Sequence, residues 1–218
     1  MPTTNEIEQF LKDSFKPAKV NFAPNKDYYS ENREFQGIPG IAITPNGRLW
    51  ATWYSGGTCE GVDNYTLLVH SDDDGDTWSK PVAVVDIPGP LRTFDPVLWL
   101  DNNGRLWWFW TQGWSGEQDI LCLGGGVVWA IICDDPDADQ CQWSDPFSIS
   151  QGIMMNKPTI FENGDYIFPT ALWSWDLCCN KHLTIDGLDP FVNRRYSNMT
   201  VSRDNGKTFE TITGPRYS

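Results

Sequence analysis

Several polar side chains in this sequence stand where they could bind an anionic ligand or transfer a proton. Arg92 and Lys157 each come shortly before a proline, and their cationic groups pair well with carboxylates. Two carboxylates, Glu60 and Asp63, lie in the segment SGGTCEGVDNY. A carboxyl group can act as a general acid when burial or neighbouring charges raise its pKa. These residues are therefore candidates for binding and acid–base chemistry.

The same residue types do not predict a metal site. The acidic stretch 72–76 alternates aspartates as a calcium loop does, but the closing glutamate of an EF-hand is absent at its required spacing. The six cysteines form no C-x-x-C pair, and only two histidines could join them around zinc. We expect no metal and no cofactor. Buried or free thiols are expected, with one disulfide such as Cys133–Cys141 as the alternative.

Charge and hydropathy exclude two further classes of partner. The net charge is −13 and no block of lysine or arginine interrupts the acidic sequence, which argues against nucleic acid as a partner. No stretch approaches the roughly 18 apolar residues of a membrane span, and the N-terminus lacks the order of a signal peptide. We expect a soluble protein that does not bind membranes, and the compartment stays open.

An internal repeat predicts the elements that position these residues. Three segments each begin near a proline and join two β-rich runs through an Asn-Gly turn, as tight hairpins do. They are 38–53, 95–110 and 156–173. The turn glycines Gly47, Gly104 and Gly164 are 57 and 60 residues apart. A repeat of about 60 residues, built from short strands, is typical of propeller blades.

We therefore predict an all-β protein, a β-propeller of four-stranded antiparallel blades with about three blades in this chain. The outer strands are predicted from NYTLLVHS and KPVAVVD. The pattern of apolar residues predicts one helix over residues 5–15. We place an N-terminal extension with this helix at residues 1–32 and the propeller portion at residues 33–218.

Two turns between predicted outer strands carry the pattern S-x-D-x-G-x-T followed by an aromatic residue. The first comprises Ser71, Asp73, Gly75, Thr77 and Trp78, and the second comprises Ser202, Asp204, Gly206, Thr208 and Phe209. Aspartate and serine can accept hydrogen bonds from the turn, glycine can adopt positive φ, and the aromatic residue can pack between blades. Over about residues 33–214 the sequence resembles the sialidase-like superfamily of Asp-box, or BNR-repeat, proteins.

This resemblance implies a six-bladed fold, of which this chain would hold an incomplete portion. It also implies a glycoside hydrolase that acts on an acidic or complex glycan. The Asp-boxes of that family are structural and face away from the substrate. Its acid/base carboxylate lies about a dozen residues before the first Asp-box serine, which implies Glu60 as first candidate and Asp63 as second. Both could instead be solvated loop carboxylates.

The opposite face of the blades should then carry the substrate site. It collects the strand starts, with Arg92, Asp95, Asn156 and Lys157, and the loops 54–64, 111–126 and 173–198. Asp95 resembles the aspartate of a Ser-Asp-Pro segment that faces the substrate in bacterial sialidases, although it could merely cap a strand. Three more candidates lie on these loops, namely Trp114 and Trp173, whose indoles suit sugar rings, and Arg194.

The resemblance departs at Gly37, where sialidases usually have the first of three arginines that grip the substrate carboxylate. This departure argues against sialic acid itself. A polysaccharide lyase acting on uronate-containing glycans, or a non-catalytic glycan- or protein-binding propeller, are the alternatives. A chain of three blades would also leave an open propeller edge, which a second copy or a partner could cover, and it could be inactive alone.

Overall fold

The computed structural model describes residues 4–114, 126–172 and 197–214. Within these ranges the chain forms one α-helix, α1 (Thr4–Ser14), two short 3-10 turns (Lys26–Tyr28 and Ser30–Asn32) and twelve strands. The helix expected over residues 5–15 is thus present, shifted by one residue. No helix in these ranges combines the length and apolar character that crossing a bilayer requires.

The twelve strands form three four-stranded antiparallel sheets, each following chain order from its first strand to its last. Blade 1 contains β1 (Gln36–Ile43), β2 (Leu49–Ser55), β3 (Tyr65–Ser71) and β4 (Ala83–Val85). Blade 2 contains β5 (Leu91–Leu100), β6 (Leu106–Trp114), β7 (Val127–Cys133) and β8 (Phe147–Gln151). Blade 3 contains β9 (Thr159–Ile160), β10 (Tyr166–Ala171), β11 (Ser197–Ser202) and β12 (Glu210–Thr213). The predicted all-β architecture with three blades is confirmed.

Local residue chemistry explains the hairpin that opens each blade. Gly47, Gly104 and Gly164 have φ values of 92°, 78° and 88°, in the left-handed region that favours glycine. Each turn therefore reverses the chain between the first and second strands of its blade. The repeat recognised from the sequence corresponds to these three hairpins.

Aromatic side chains fill the space between neighbouring blades. Trp50 of blade 1 packs with Trp108, Trp110 and Trp129 of blade 2, and the Trp108 indole donates a 2.8 Å hydrogen bond to the hydroxyl of Thr52. Alternate residues of β6 point to the opposite side of the sheet, where a second cluster joins blades 2 and 3. That cluster contains Trp99, Trp107, Phe109, Tyr166 and Phe168. Blade 2 therefore has an apolar core on both faces.

The two predicted Asp-box turns adopt one hydrogen-bond pattern. In the first, the Asp73 carboxylate accepts bonds from the Ser71 hydroxyl at 2.7 Å and from the Thr77 amide at 2.9 Å. The Ser71 hydroxyl oxygen accepts the Gly75 amide at 3.0 Å. The second turn repeats these bonds with Ser202, Asp204, Gly206 and Thr208 at 2.8–2.9 Å. The two turns share this geometry. It provides partners for the N–H groups of the turn backbone and accounts for the spacing of the polar residues.

The aromatic residues of the equivalent outer turns differ in burial. Phe209 stacks on Phe147 of blade 2 with ring centroids 6.0 Å apart, and Trp143 contacts Trp50 of blade 1 at 5.9 Å. Both therefore lie between their own blade and the preceding one. Trp78 does not pack between blades as expected, because 42% of its surface is exposed. Trp143 and Phe209 each contact the preceding blade. Within the described ranges no blade precedes blade 1, so Trp78 has no such blade to contact.

The N-terminal segment packs along the first two blades. Asn21 exchanges two main-chain hydrogen bonds with Val84 of β4, at 2.8 and 2.9 Å, and so extends the outer edge of blade 1. The main-chain oxygen of Ser14, at the end of α1, accepts the Trp129 indole at 3.2 Å and the Gln112 amide at 3.3 Å. The division at residues 32 and 33 stays a prediction.

The second Asp-box turn gives a test of blade packing. Replacing Gly206 with alanine places a methyl 2.2 Å from the Trp107 ring at φ +85°, whereas the same change at Gly47, at φ +92°, meets no atom within 4 Å. We expect Gly47→Ala to cost about 1–2 kcal/mol through backbone strain alone. Gly206→Ala should cost a further ~1–3 kcal/mol through overpacking. Chemical denaturation of both variants measures this difference, and equal losses would contradict the described packing.

Candidate functional site

A group of polar side chains lies where β1, β2 and β5 meet, on the face opposite the Asp-box turns. Tyr54 is near the end of β2, Glu60 is in the following loop, and Arg92 and Asp95 are in β5. An apolar cluster of Tyr54, Phe94 and Ile153, with Phe35 against it, packs beside them. This arrangement brings together Glu60, Arg92 and Asp95, three of the residues expected to form the site.

The amide of Asn64 organises the loop that carries Glu60. Asn64 is 1% exposed, and its Nδ2 donates to the main-chain oxygens of Gly56 at 2.7 Å and Cys59 at 3.1 Å. Its Oδ1 accepts the Gly61 amide at 2.8 Å and Arg92 Nη1 at 2.9 Å. One buried side chain therefore fixes the loop and joins it to β5 of the next blade.

Glu60 accepts a hydrogen bond from the hydroxyl of Tyr54 through its Oε1. Burial raises the pKa of Tyr54 above its ordinary value, and the hydrogen bond and negative charge of Glu60 raise it further. The phenol therefore keeps its proton near neutral pH and remains the donor in this pair. Glu60 itself is exposed at the surface of the loop, so it is available to a ligand.

The Tyr54 ring occupies space that a side chain at position 37 would need. A Cβ added to Gly37 would lie 2.6 Å from Cζ and 2.7 Å from the hydroxyl oxygen of Tyr54. The departure from the sialidase pattern at Gly37 therefore has a steric counterpart within the fold. Any longer side chain at this position requires the tyrosine ring to move.

Asp95 is the buried carboxyl group of the site. It is 6% exposed, and burial raises its pKa to about 6. The charge of Arg92 lowers this pKa, while the charge of Glu60 raises it. Asp95 is therefore a carboxyl group that can hold a proton in mildly acidic solution, between a cation and a second carboxylate.

The backbone at Asp95 is strained in the same way as the backbone at the start of blade 1. Asp95 has φ +46° and Ile38 has φ +40°, and each precedes a proline at an irregularity in strand pairing. A non-glycine residue in this region costs on the order of 1–3 kcal/mol. Two inner strands thus carry an equivalent strained bulge on this face. Such bulges re-aim side chains, and they are over-represented next to active sites.

Arg92 is buried and serves within the site rather than at its surface. Its guanidinium lies 4.2 Å from the centre of the Phe94 ring, and its Nη1 is bound by Asn64. Its Nε is buried without a hydrogen-bond partner. A cation in this position interacts electrostatically with both Asp95 and Tyr54, and lowers the pKa of each.

Other expected residues lie at different places. Lys157 is exposed, and its ammonium donates a hydrogen bond to the main-chain oxygen of Ile41 in β1, which links the start of blade 3 to blade 1. Asn156 is exposed beside it, and Asp63 is exposed at the far end of the Glu60 loop. Trp173, Arg194 and the side chain of Trp114 lie outside the described residues, so their expected roles stay predictions.

Sequence reasoning missed Tyr54 and Asn64. Tyr54 belongs to the alternating row Trp50, Thr52, Tyr54 of β2, which indicates core packing, and Asn64 stands out in the sequence only within a glycosylation sequon. The alternation does place Tyr54 at the end of its strand, next to the loop with Glu60. A polar aromatic residue ending such a row is the signal that could have identified it.

No protein-family model and no curated protein sequence matches the chain. Solved structures do match. A Hadza microbial sialidase has a TM-score of 0.57 and 16% identity, over 81% of this chain and 37% of its own. A leech intramolecular trans-sialidase has a TM-score of 0.60 and 12% identity, over 98% and 48%. An endo-arabinase from Bacteroides thetaiotaomicron has a TM-score of 0.51 and 14% identity, over 90% and 66%.

These matches show that the fold is a sialidase-like β-propeller. The identities are low, so the likeness concerns the fold alone. The chain spans less than half the length of the sialidase and of the trans-sialidase. The matched structures include an endo-arabinase beside a sialidase and a trans-sialidase.

The raised pKa of Asp95 predicts a pH dependence of stability. Because the folded-state pKa of about 6 exceeds the ordinary aspartate value of 3.8, the folded state binds more protons than the unfolded state between these values. Asp95 should therefore lower the free energy of unfolding by roughly 2–3 kcal/mol as the pH rises from about 4 to about 6. Asp95→Asn should remove that loss. Urea titrations across this range test it, and parallel curves for the two proteins would contradict the assignment.

Proposed function

We propose that this chain contributes the carbohydrate site of a glycoside hydrolase that acts on an acidic or complex glycan. One observation carries the proposal. Two carboxyl groups share one face in contrasting environments, since Asp95 is buried beside Arg92 and Glu60 is exposed on a loop. Such a pair can divide the roles of proton donor and ionised carboxylate, which glycosidic cleavage requires.

Asp95 is the proposed general acid. Its pKa of about 6 keeps a useful fraction protonated in mildly acidic solution, and loss of this proton to the glycosidic oxygen leaves an anion beside Arg92. This assignment moves the acid role from Glu60, which sequence reasoning favoured, to Asp95. The charge of Arg92 limits the rise in the pKa of Asp95, so this carboxyl group can still release its proton.

Glu60 is the proposed ionised carboxylate. The hydrogen bond from Tyr54 holds one of its oxygens, and the bonds of Asn64 hold the loop that carries it. The remaining oxygen is available to accept a proton from water or to stabilise positive charge developing on the sugar ring. Tyr54 and Asn64 act as positioning residues in this scheme.

The proposed substrate is not one whose carboxylate binds an arginine at position 37. The space at Gly37 is filled by Tyr54, and the Arg92 guanidinium is bound to Asn64 and lies over the Phe94 ring, so neither position is the proposed source of a cation for the ligand. Lys157 is exposed near the start of blade 3 and is the proposed contact for an anionic group of the glycan. Carbohydrate is accordingly the proposed ligand, with a sugar other than sialic acid.

Activity measurements on variants of the chain, and of any longer natural form, test these roles. Using a panel of aryl glycosides and acidic oligosaccharides, we expect Asp95→Asn and Glu60→Gln to lower kcat by about 10²–10⁴-fold. The kcat of the unchanged protein should decrease above pH about 6, as Asp95 loses its proton. Asp76→Asn is a matched control, because Asp76 is an exposed carboxylate in the Asp-box turn on the opposite face.

Three results would redirect the proposal. A loss of activity in Asp63→Asn with full activity in Asp95→Asn would transfer the acid role to Asp63. An unsaturated product that absorbs ultraviolet light would identify elimination by a lyase instead of hydrolysis. Binding of a glycan by isothermal titration, without turnover in any form, would identify a non-catalytic propeller.

A further inference from the structure

A second group of reactive side chains lies on the Asp-box face, at the seam between blades 1 and 2. A pocket of about 440 Å³ opens there beside the turn between β7 and β8. The lining residues that matter here are Arg48, Trp50, His70, Cys141 and Trp143. Pockets of this size accommodate small organic molecules. None of these residues takes part in the proposed carbohydrate site.

Two free cysteines meet at the base of this pocket. Cys133 ends β7, is fully buried in the core between the blades, and pairs across a β-bridge with Trp143. Cys141 is half-buried, lines the pocket and packs against the core cluster that contains Cys133. The two side chains are close neighbours, because Cys141 lies two residues before Trp143, the β-bridge partner of Cys133. Cys141 is thus accessible from the pocket, and Cys133 is buried in the adjoining core.

The surroundings of Cys141 favour its thiolate. The neighbouring thiol of Cys133 lowers the pKa of Cys141 most, burial opposes this effect, and the charge of Arg48 lowers the pKa further. Asp135 opposes the ionisation as a neighbouring negative charge. Burial and the charge of Arg48 lower the pKa of His70, which disfavours a second cation in the pocket. A thiolate, and not a thiol, is the nucleophilic form of cysteine.

Arg48 also binds two of the main-chain oxygens that surround the sulfur. The Cys141 thiol donates a hydrogen bond to the main-chain oxygen of Asp135 at 3.7 Å. It also donates to the oxygens of Ala138 at 3.5 Å and Pro136 at 3.7 Å. Arg48 Nη1 donates to these same two oxygens, at 2.7 and 3.2 Å. Its Nε is held by Asp72 at 2.6 Å, so the guanidinium is fixed in this position. Two of the three oxygens are thus shared with a fixed cation, whose charge acts on the Cys141 sulfur.

We propose that Cys141 is a peroxide-reactive nucleophile and that Cys133 is its resolving partner. The Cys141 thiolate attacks one oxygen of a hydroperoxide, the O–O bond breaks, and hydroxide or alkoxide leaves. The sulfur is oxidised to sulfenic acid while the peroxide is reduced. The Cys133 sulfur then attacks the Cys141 sulfur, and water forms from the departing hydroxyl group and the thiol proton. The product is a Cys133–Cys141 disulfide.

This bond would close the turn that fastens blade 2 onto blade 1. The turn presents the main-chain oxygen of Pro136 to the Trp50 indole at 3.1 Å, and its Asp137 accepts a hydrogen bond from the hydroxyl of Thr44. A disulfide across the base of the turn removes freedom from the unfolded chain. Oxidation should therefore raise the melting temperature of the protein, and reduction should reverse the increase.

Peptide mapping after oxidation tests the assignment. We expect one molar equivalent of hydrogen peroxide to produce a Cys133–Cys141 disulfide, detected by mass spectrometry without reduction. Cys133→Ser should leave a sulfenic acid on Cys141 that dimedone traps, and Cys141→Ser should leave Cys133 reduced. Cys59→Ser is the matched control, because Cys59 is an exposed free cysteine in another loop. It should form the disulfide in the same yield.

A rate measurement keeps the test independent of the variants. At neutral pH, iodoacetamide should alkylate Cys141 at least 10-fold faster than Cys59 in the unchanged protein, although Cys59 is the more exposed. Faster labelling of Cys59 would overturn the proposal. So would a disulfide that pairs either cysteine with Cys122, Cys178 or Cys179, or a Cys141 that resists hydrogen peroxide.

Discussion

Blade-on-blade packing is the constraint on which the rest of this structure depends. A four-stranded sheet buries its apolar faces only when another sheet covers them, so each blade needs its neighbour. Blade 2 satisfies this need on both sides, with Trp108 and Trp110 facing blade 1 and Trp107 and Phe109 facing blade 3. Trp78 of blade 1 stays exposed, because no blade among the described residues covers that side of blade 1.

The candidate site follows from this packing, because its residues come from different blades. Blade 1 provides Tyr54 and the loop with Glu60, and blade 2 provides Arg92 and Asp95. Asn64 makes four hydrogen bonds, three within the Glu60 loop and one across the junction to Arg92, and a buried amide needs such partners in order not to destabilise the fold. The buried carboxyl of Asp95 is held in a strained backbone, so packing elsewhere must offset its cost.

The sequence predicted what short-range chemistry determines. An Asn-Gly turn and an S-x-D-x-G-x-T turn satisfy their own backbone, so the three hairpins and both Asp-boxes could be recognised without a structure. The site was only partly predictable, because contacts between distant residues decide it. The fit of the Tyr54 ring against Gly37 and the bond between Arg92 and Asn64 depend on the relative position of strands, which no local pattern encodes. Asp95 gains its raised pKa from burial, which is likewise a property of the assembled blades.

Strand β2 connects the two faces on which chemistry is proposed. Its buried row runs from Trp50, beside the thiol pocket, through Thr52 to Tyr54, which binds Glu60. Four residues of strand separate the two ends, or roughly 13 Å. Trp50 is held by the turn that contains the cysteines, and Tyr54 is held by the loop of the carbohydrate site. Close-packed interiors transmit strain, and chains of packed side chains on a rigid strand are what couples distant sites, so this buried row is the direct physical connection between the two faces.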